Sequence, residues 1–172
     1  MNVKVLEVKT KDELDSKIEI VRKGDTTLPS ITDGWRFNFR RHSKSTGYET
    51  YVLVKQLTPN IIEGCLIVHH KGEGQSYMAY VELAPHNRDP DRKHDWVAGC
   101  LIAFACRLSF IKGKEGYLAL DVIEEKKEDE IKLMKVYSDK YYAVRLEKST
   151  TMIILPEGSE KLINEYLIRQ ES

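Results

Sequence analysis

A mixed α/β (α+β) fold, with a central and mostly antiparallel sheet flanked by helices, follows from three observations. Between Tyr48 and Leu83 lie three short apolar segments, YETYVLVK, IIEGCLIVH and SYMAYVEL, separated by Thr58-Pro59-Asn60 and by Lys71-Gly-Glu-Gly74. Short connections rich in Pro, Asn and Gly join antiparallel neighbours, so these segments predict a meander. The pattern then changes: Val97, Leu101, Phe104, Leu108 and Ile111 recur at helical spacing, and Gly113 follows as a stop. Tyr117 to Ile123 (YLALDVI) is a continuous apolar run, as an interior strand should be. A strand, a helix and a strand in that order predict two parallel neighbours joined by a crossover.

The remaining elements are assigned in chain order. Val3 to Val8 alternates apolar and polar residues, a strand signal. Thr10-Lys-Asp-Glu13 matches a capping box and predicts a helix to about Val21. Gly24 to Gly34 is rich in chain breakers and reads as a loop. Trp35 to Phe39 alternates aromatic and polar residues and reads as a strand or its entry. The run Glu124 to Glu130 opens a helix through about Tyr141, with its acids at the end the helix dipole favours. Thr150 to Leu155 is a strand, closed by Pro156 and Gly158, and Leu162, Ile163, Tyr166 and Leu167 form the apolar side of a last helix.

Composition narrows the function classes. The chain has 172 residues, which suits one domain over 1–172, and 27 basic residues balance 27 acidic ones. That balance argues against a nucleic-acid binder relying on bulk positive charge. The longest apolar run, Val97 to Cys106, is half of what a membrane span needs, and the first fifteen residues lack an apolar signal core. Cys65, Cys100 and Cys106 are an odd set with no disulfide or metal spacing, so they are expected to be reduced and buried, as in a cytoplasmic protein. Edge strands and the last helix offer surfaces that a homodimer could use. No P-loop, nucleophile elbow or zinc signature is present.

The segment Tyr80 to Lys112 carries the chemistry. A strand ends in Glu82-Leu-Ala-Pro85-x-Asn87, a polar loop follows, and a buried helix opens at Val97-Ala98-Gly99. The first turn of a helix holds N–H groups without internal acceptors at the positive end of its dipole, which suits a pyrophosphate. Several residues there admit two readings. Glu82 either draws a proton from an amine or braces the following loop. Asn87 closes the turn after Pro85 or touches a ligand. His86 and His94 flank the loop, either exposed to solvent, as expected, or touching phosphate or substrate. Tyr137 belongs to an Ile131, Met134, Tyr137, Tyr141 stripe, as a core residue or as a proton donor.

With these residues the chain resembles the GNAT superfamily of acetyl-CoA-dependent N-acyltransferases, over roughly Trp35 to Leu155. The resemblance rests on the Glu82–Asn87 motif, on Val97-Ala-Gly99-x-Leu101 and its continuation to Phe110, on Gly116-Tyr-Leu, and on Leu133-Met-x-x-Tyr137. It implies a GNAT-like fold in which the strand before the loop splays from its neighbour and pantetheine lies in the cleft. It implies cofactor contacts at Leu83 and Ala84 and, for the pyrophosphate, at Val97, Ala98, Gly99 and Cys100. It implies Tyr137 as the acid for the departing thiolate, with no metal; the first of the two readings of Glu82 would make that residue the base. Trp96 stands where the family usually has a glycine. The implied activity is direct acetyl transfer from acetyl-CoA to an unidentified amine acceptor in a ternary complex. The alternative is a non-catalytic GNAT-fold module that binds CoA or a protein partner.

Overall fold

A computed structural model of the chain describes residues 1–168. Nine strands form one sheet: β1 (Asn2–Glu7), β2 (Glu13–Val21), β3 (Tyr48–Lys55), β4 (Thr58–His69), β5 (Ser76–Leu83), β6 (His94–Asp95), β7 (Leu118–Asp121), β8 (Ala143–Arg145) and β9 (Thr151–Ile154). The helices are α1 (Phe39–His42), α2 (Val97–Ile111), α3 (Lys127–Tyr141) and α4 (Pro156–Ile163), the last continuing as a π turn over Asn164–Ile168. The strand order is β6-β1-β2-β3-β4-β5-β7-β9-β8, and every pairing is antiparallel except β5 with β7. The expected fold class, meander, parallel neighbours and α2 are all present.

Three expectations are corrected. Glu13 to Val21 is a strand, not a helix. The Thr10 hydroxyl does accept a backbone N–H, but that of Asp12 at 3.3 Å, and Lys11 takes a left-handed φ of 66°, so the same capping chemistry closes a hairpin. Within β2, Ser16 and Ile18 are buried two apart while Asp15 and Glu19 on the other face are exposed, the period of a strand; Ile20 shares the buried face but lies beyond the core and is exposed. Trp35 to Asn38 is a loop and Phe39 opens α1, which is capped by Asn38 Oδ1 accepting from the Arg41 N–H at 2.9 Å. The β3–β4 turn lies at Gln56-Leu57, ahead of Thr58-Pro59-Asn60, which already belongs to β4. The short strands β6 and β8 were not anticipated.

The central strands are buried on both faces. Tyr51, Leu53, Leu66 and Val68 face α2, while Val52, Val54, Cys65 and Ile67 face a smaller cluster with Leu28, Trp35 and Phe39. Alternate residues of β3 and β4 thus feed two separate cores, which explains their nearly unbroken apolar sequence. Gly64 is what lets α2 settle on β4. A Cβ there would lie 2.9 Å from both Leu101 Cδ1 and Val97 Cγ1.

Candidate active site

β5 and β7 pair only through Ser76↔Leu118 and Tyr77↔Ala119. Beyond Tyr77 the two strands part. The register of β4 with β5 passes from Val68↔Met78 to Ile67↔Tyr80, so Ala79 is the extra residue of a bulge at the parting point. A bulge bends its strand and sharpens the twist, which turns Tyr80–Leu83 away from β7. The expected splay is therefore built into the sheet.

Two cavities follow one another along β5 and α3. The first, of about 100 Å³, lies in the splay between Met78–Val81 and Leu120–Glu124, with Arg36 and Phe37 on one side and Leu133 and Tyr137 on the other. The second, of about 470 Å³, lies at the start of α2 and is lined by Leu83, the Asn87–Asp89 loop, Arg92, His94–Gly99, Lys140, Tyr141 and Tyr166. Tyr137 and Tyr141, with ring centroids 5.8 Å apart, sit one in each.

At the mouth of α2, Cys100 N–H makes the first helical bond, to Trp96 O at 2.8 Å. The N–H groups of Val97, Ala98 and Gly99 have no acceptor among the described residues. Trp96 caps the helix at φ 70°, in the left-handed region. A glycine takes that conformation without strain, whereas a side chain costs on the order of 1–2 kcal/mol. The cradle thus keeps a glycine-like backbone with a tryptophan in it. Gly99 answers to a different constraint, because a Cβ on it would run into the Tyr166 ring. Cys100 turns its thiol inward, toward Lys4 O at 3.4 Å, and burial pushes that thiol up to about 12. Lys140 and Arg92 bring positive charge to this cavity, although Arg92 is held by Asp95 at 2.9 Å.

The other expected site residues divide. Leu83 lines the second cavity. Ala84 does not: it is buried in the smaller core, and its N–H is spent on Glu63 O at 3.0 Å. Glu82 lines neither cavity. Its carboxylate accepts the backbone N–H groups of Arg36 at 2.6 Å and Phe37 at 3.0 Å and pairs with Arg88. With three donors on two oxygens and 8% of the side chain exposed, Glu82 fits the loop-brace reading. Tyr137 faces the first cavity. Burial, then the nearby Tyr141 and Glu124, hold its hydroxyl above the usual phenol range, so it stays protonated at neutral pH.

Sequence reasoning missed the carboxylate that organises the loop. Glu63 is fully buried in β4. Its Oε2 meets His86 Nε2 at 2.6 Å, Asn87 Nδ2 at 2.7 Å and His94 Nδ1 at 3.0 Å, and Lys55 Nζ stands 3.7 Å from Oε1. Neither histidine is the exposed loop residue expected: His94 is buried and His86 is half-buried. Glu63, His86 and His94 are close enough together to suggest a cation site. Lys55 Nζ, however, also lies 3.2 Å from His94 Nε2. An ammonium donating there leaves the imidazole proton on Nδ1, facing Glu63. The ammonium already supplies the positive charge that a metal would bring, and the network pins the loop from Pro85 to His94. The sequence signal was faint: a lone Glu inside the apolar run IIEGCLIVH.

No family model matches the chain, and no curated protein does. Solved structures do. A chain of the KacTA–DNA complex aligns at a TM-score of 0.60 and 12% identity, over 87% of this chain and 99% of that one. AtaTR bound with AcCoA aligns at 0.55 and 12% identity, over 86% and 98%. A structure described as an acyl-CoA N-acyltransferase from Klebsiella pneumoniae subsp. pneumoniae MGH 78578 aligns at 0.55 and 14% identity, over 80% and 95%. With its mixed curled sheet, the splay at β5 and β7 and the flanking helices, the chain has the fold of the GNAT acyltransferases.

Proposed function

We propose that the protein is an N-acetyltransferase that moves an acetyl group directly from acetyl-CoA to an amine in a ternary complex. The observation that carries this reading is the pair of cavities strung along β5 and α3. One offers unpaired helix N–H groups and cationic side chains to a pyrophosphate. The other offers an open strand edge and a tyrosine hydroxyl to a thioester. AtaTR, which shares the fold, is bound with AcCoA. In this reading the Val97, Ala98 and Gly99 N–H groups hold the pyrophosphate, Lys140 adds charge, and Leu83 flanks the pantetheine arm. Backbone N–H groups at the Ala79 bulge face the developing oxyanion. Tyr137 gives its proton to the departing sulfur. Glu82 contributes by fixing the Arg36–Phe37 loop against β5. Cys100 and Ala84 are packing residues of the cradle, and no metal takes part. We place the protein in the cytoplasm on its three unpaired, buried cysteines; no described helix is long and apolar enough to cross a membrane.

Tyr137→Phe tests the reading. Turnover should fall on the order of 10²-fold, the usual worth of a general acid, while calorimetric affinity for acetyl-CoA stays within a few fold. Unchanged turnover would remove Tyr137 from the chemistry. A wild-type chain that binds no acetyl-CoA would favour the second reading, a GNAT-fold interaction module, which the Trp96 cap and the Tyr166 ring over Gly99 support.

A further inference from the structure

We infer that Glu124 is the proton acceptor for the attacking amine, with Arg36 orienting it. This rests on the acetyltransferase reading above. Three carboxylates stand on or beside the splay, and two are fully engaged. Glu82 accepts two backbone N–H groups and a guanidinium. Asp121 accepts the hydroxyls of Tyr77, Thr150 and Thr151. Glu124 gives only Oε1 to Arg36 Nη1, at 2.7 Å, and its Oε2 accepts nothing from the described residues.

The position of Glu124 suits the task. It lines the splay cavity together with Tyr137, and it also lines the outer groove with Glu125, Lys126 and Asp129. It therefore spans the path from solvent to the reacting end. Its side chain is 16% exposed, dry enough to hold a defined geometry and open enough to release a proton. Arg36 is itself fixed, because Glu82 holds its backbone N–H and Ile123 O lies 3.4 Å from its Nη2. The guanidinium thus leaves Oε2 as the oxygen available to a ligand.

The protons balance. An amine arriving as an ammonium gives its first proton to Glu124, which passes it to solvent along the outer groove. The neutral nitrogen then attacks the thioester carbonyl carbon, forming the C–N bond as the C–S bond breaks and sulfur leaves with the electron pair. The second nitrogen proton goes to Glu124, Tyr137 protonates the sulfur, and Glu124 returns a proton to Tyr137 through water. The products are the amide and free CoA.

The test compares benzylamine, protonated at pH 7, with aniline, neutral at pH 7 and of similar shape. Acetyl transfer to each is measured for wild type and Glu124→Gln, an isosteric change whose fold is checked by thermal unfolding and acetyl-CoA binding. Glu124→Gln should lose transfer to benzylamine on the order of 10²-fold, and transfer to aniline by at least tenfold less than that. The benzylamine rate should recover as pH rises toward the amine's own pKa. Equal losses for both amines, or no loss for benzylamine, would overturn the assignment. Failure of wild type to acetylate any member of an amine panel built around these two, while binding acetyl-CoA, would sink the transferase reading itself, and the Glu124 role with it. If the variant alone fails to bind acetyl-CoA, Glu124 is a structural residue and the proposal is wrong.

Discussion

Replacing Glu63 by alanine should be among the most damaging single changes in this chain. The carboxylate is fully buried, and Oε2 alone receives His86 at 2.6 Å, Asn87 at 2.7 Å and His94 at 3.0 Å, with the Lys55 ammonium beside Oε1. Glu63→Ala leaves four polar groups facing a void with one positive charge among them. Breaking a buried charged pair from one side costs about 3–5 kcal/mol. At about 2–4 °C per kcal/mol for a chain of this size, the midpoint should drop by roughly 6–20 °C. The loss should shrink only in strong acid, where Glu63 itself takes up a proton. Burial pushes the Glu63 carboxyl up, but the hydrogen bonds from His86 and Asn87 outweigh it, and its pKa lies below the ordinary 4.5. Burial likewise holds His94 below the ordinary 6.5. A lowered folded pKa gives stability that is present above the unfolded value and lost as pH falls through the folded one. Wild type should therefore lose stability below about pH 6.5 as His94 takes up a proton, and again below about pH 4.5 as Glu63 does. The Glu63 carboxylate favours protonated His94, so removing it depresses the His94 pKa further; the gap to Glu63→Ala should hold or widen between pH 7 and pH 5 and shrink only below about pH 4.5. Urea unfolding at pH 7, pH 5 and about pH 3.5 measures these quantities. A loss under about 1 kcal/mol at pH 7, or a gap that narrows between pH 7 and pH 5, would refute the idea that this network pins the Pro85–His94 loop.

Two further outcomes are expected. Glu82→Gln should lower the melting midpoint, because an amide cannot accept from Arg36, Phe37 and Arg88 as a carboxylate does, yet leave the pH dependence of transfer unchanged; a shifted pH profile at unchanged stability would restore Glu82 as a base. Burial pushes the Cys100 and Cys106 thiols up to about 12 and raises Cys65 well above the usual thiol value, so a thiol-reactive chromophore should label the native protein only as fast as it opens; stoichiometric labelling within seconds at pH 8 would contradict the packing.

The sequence by itself determined the elements whose periodicity and burial agree. The meander β3–β5, the helix α2, the interior strand β7 and the helix α3 each show one unambiguous pattern, because each buries a whole face against the sheet. The position of Tyr137 on α3 and the opening of α2 at Val97 were legible for the same reason. What the sequence left to tertiary structure was every choice between two locally acceptable states. Thr10 can cap a helix or a turn, and only the pairing of β2 between β1 and β3 selected the turn. Glu82 can be a base or a brace, and the Arg36–Phe37 loop arriving from 45 residues away supports the brace. Glu63, His86 and His94 are separated in the chain and meet only because β4 lies beside the loop that follows β5. Glu124 looks like one acid in a solvated run until Arg36 reaches across the splay to it. Local propensity sets where the chain can turn and which side it buries; which oxygen is left free to take a proton depends on what the rest of the fold has already bound.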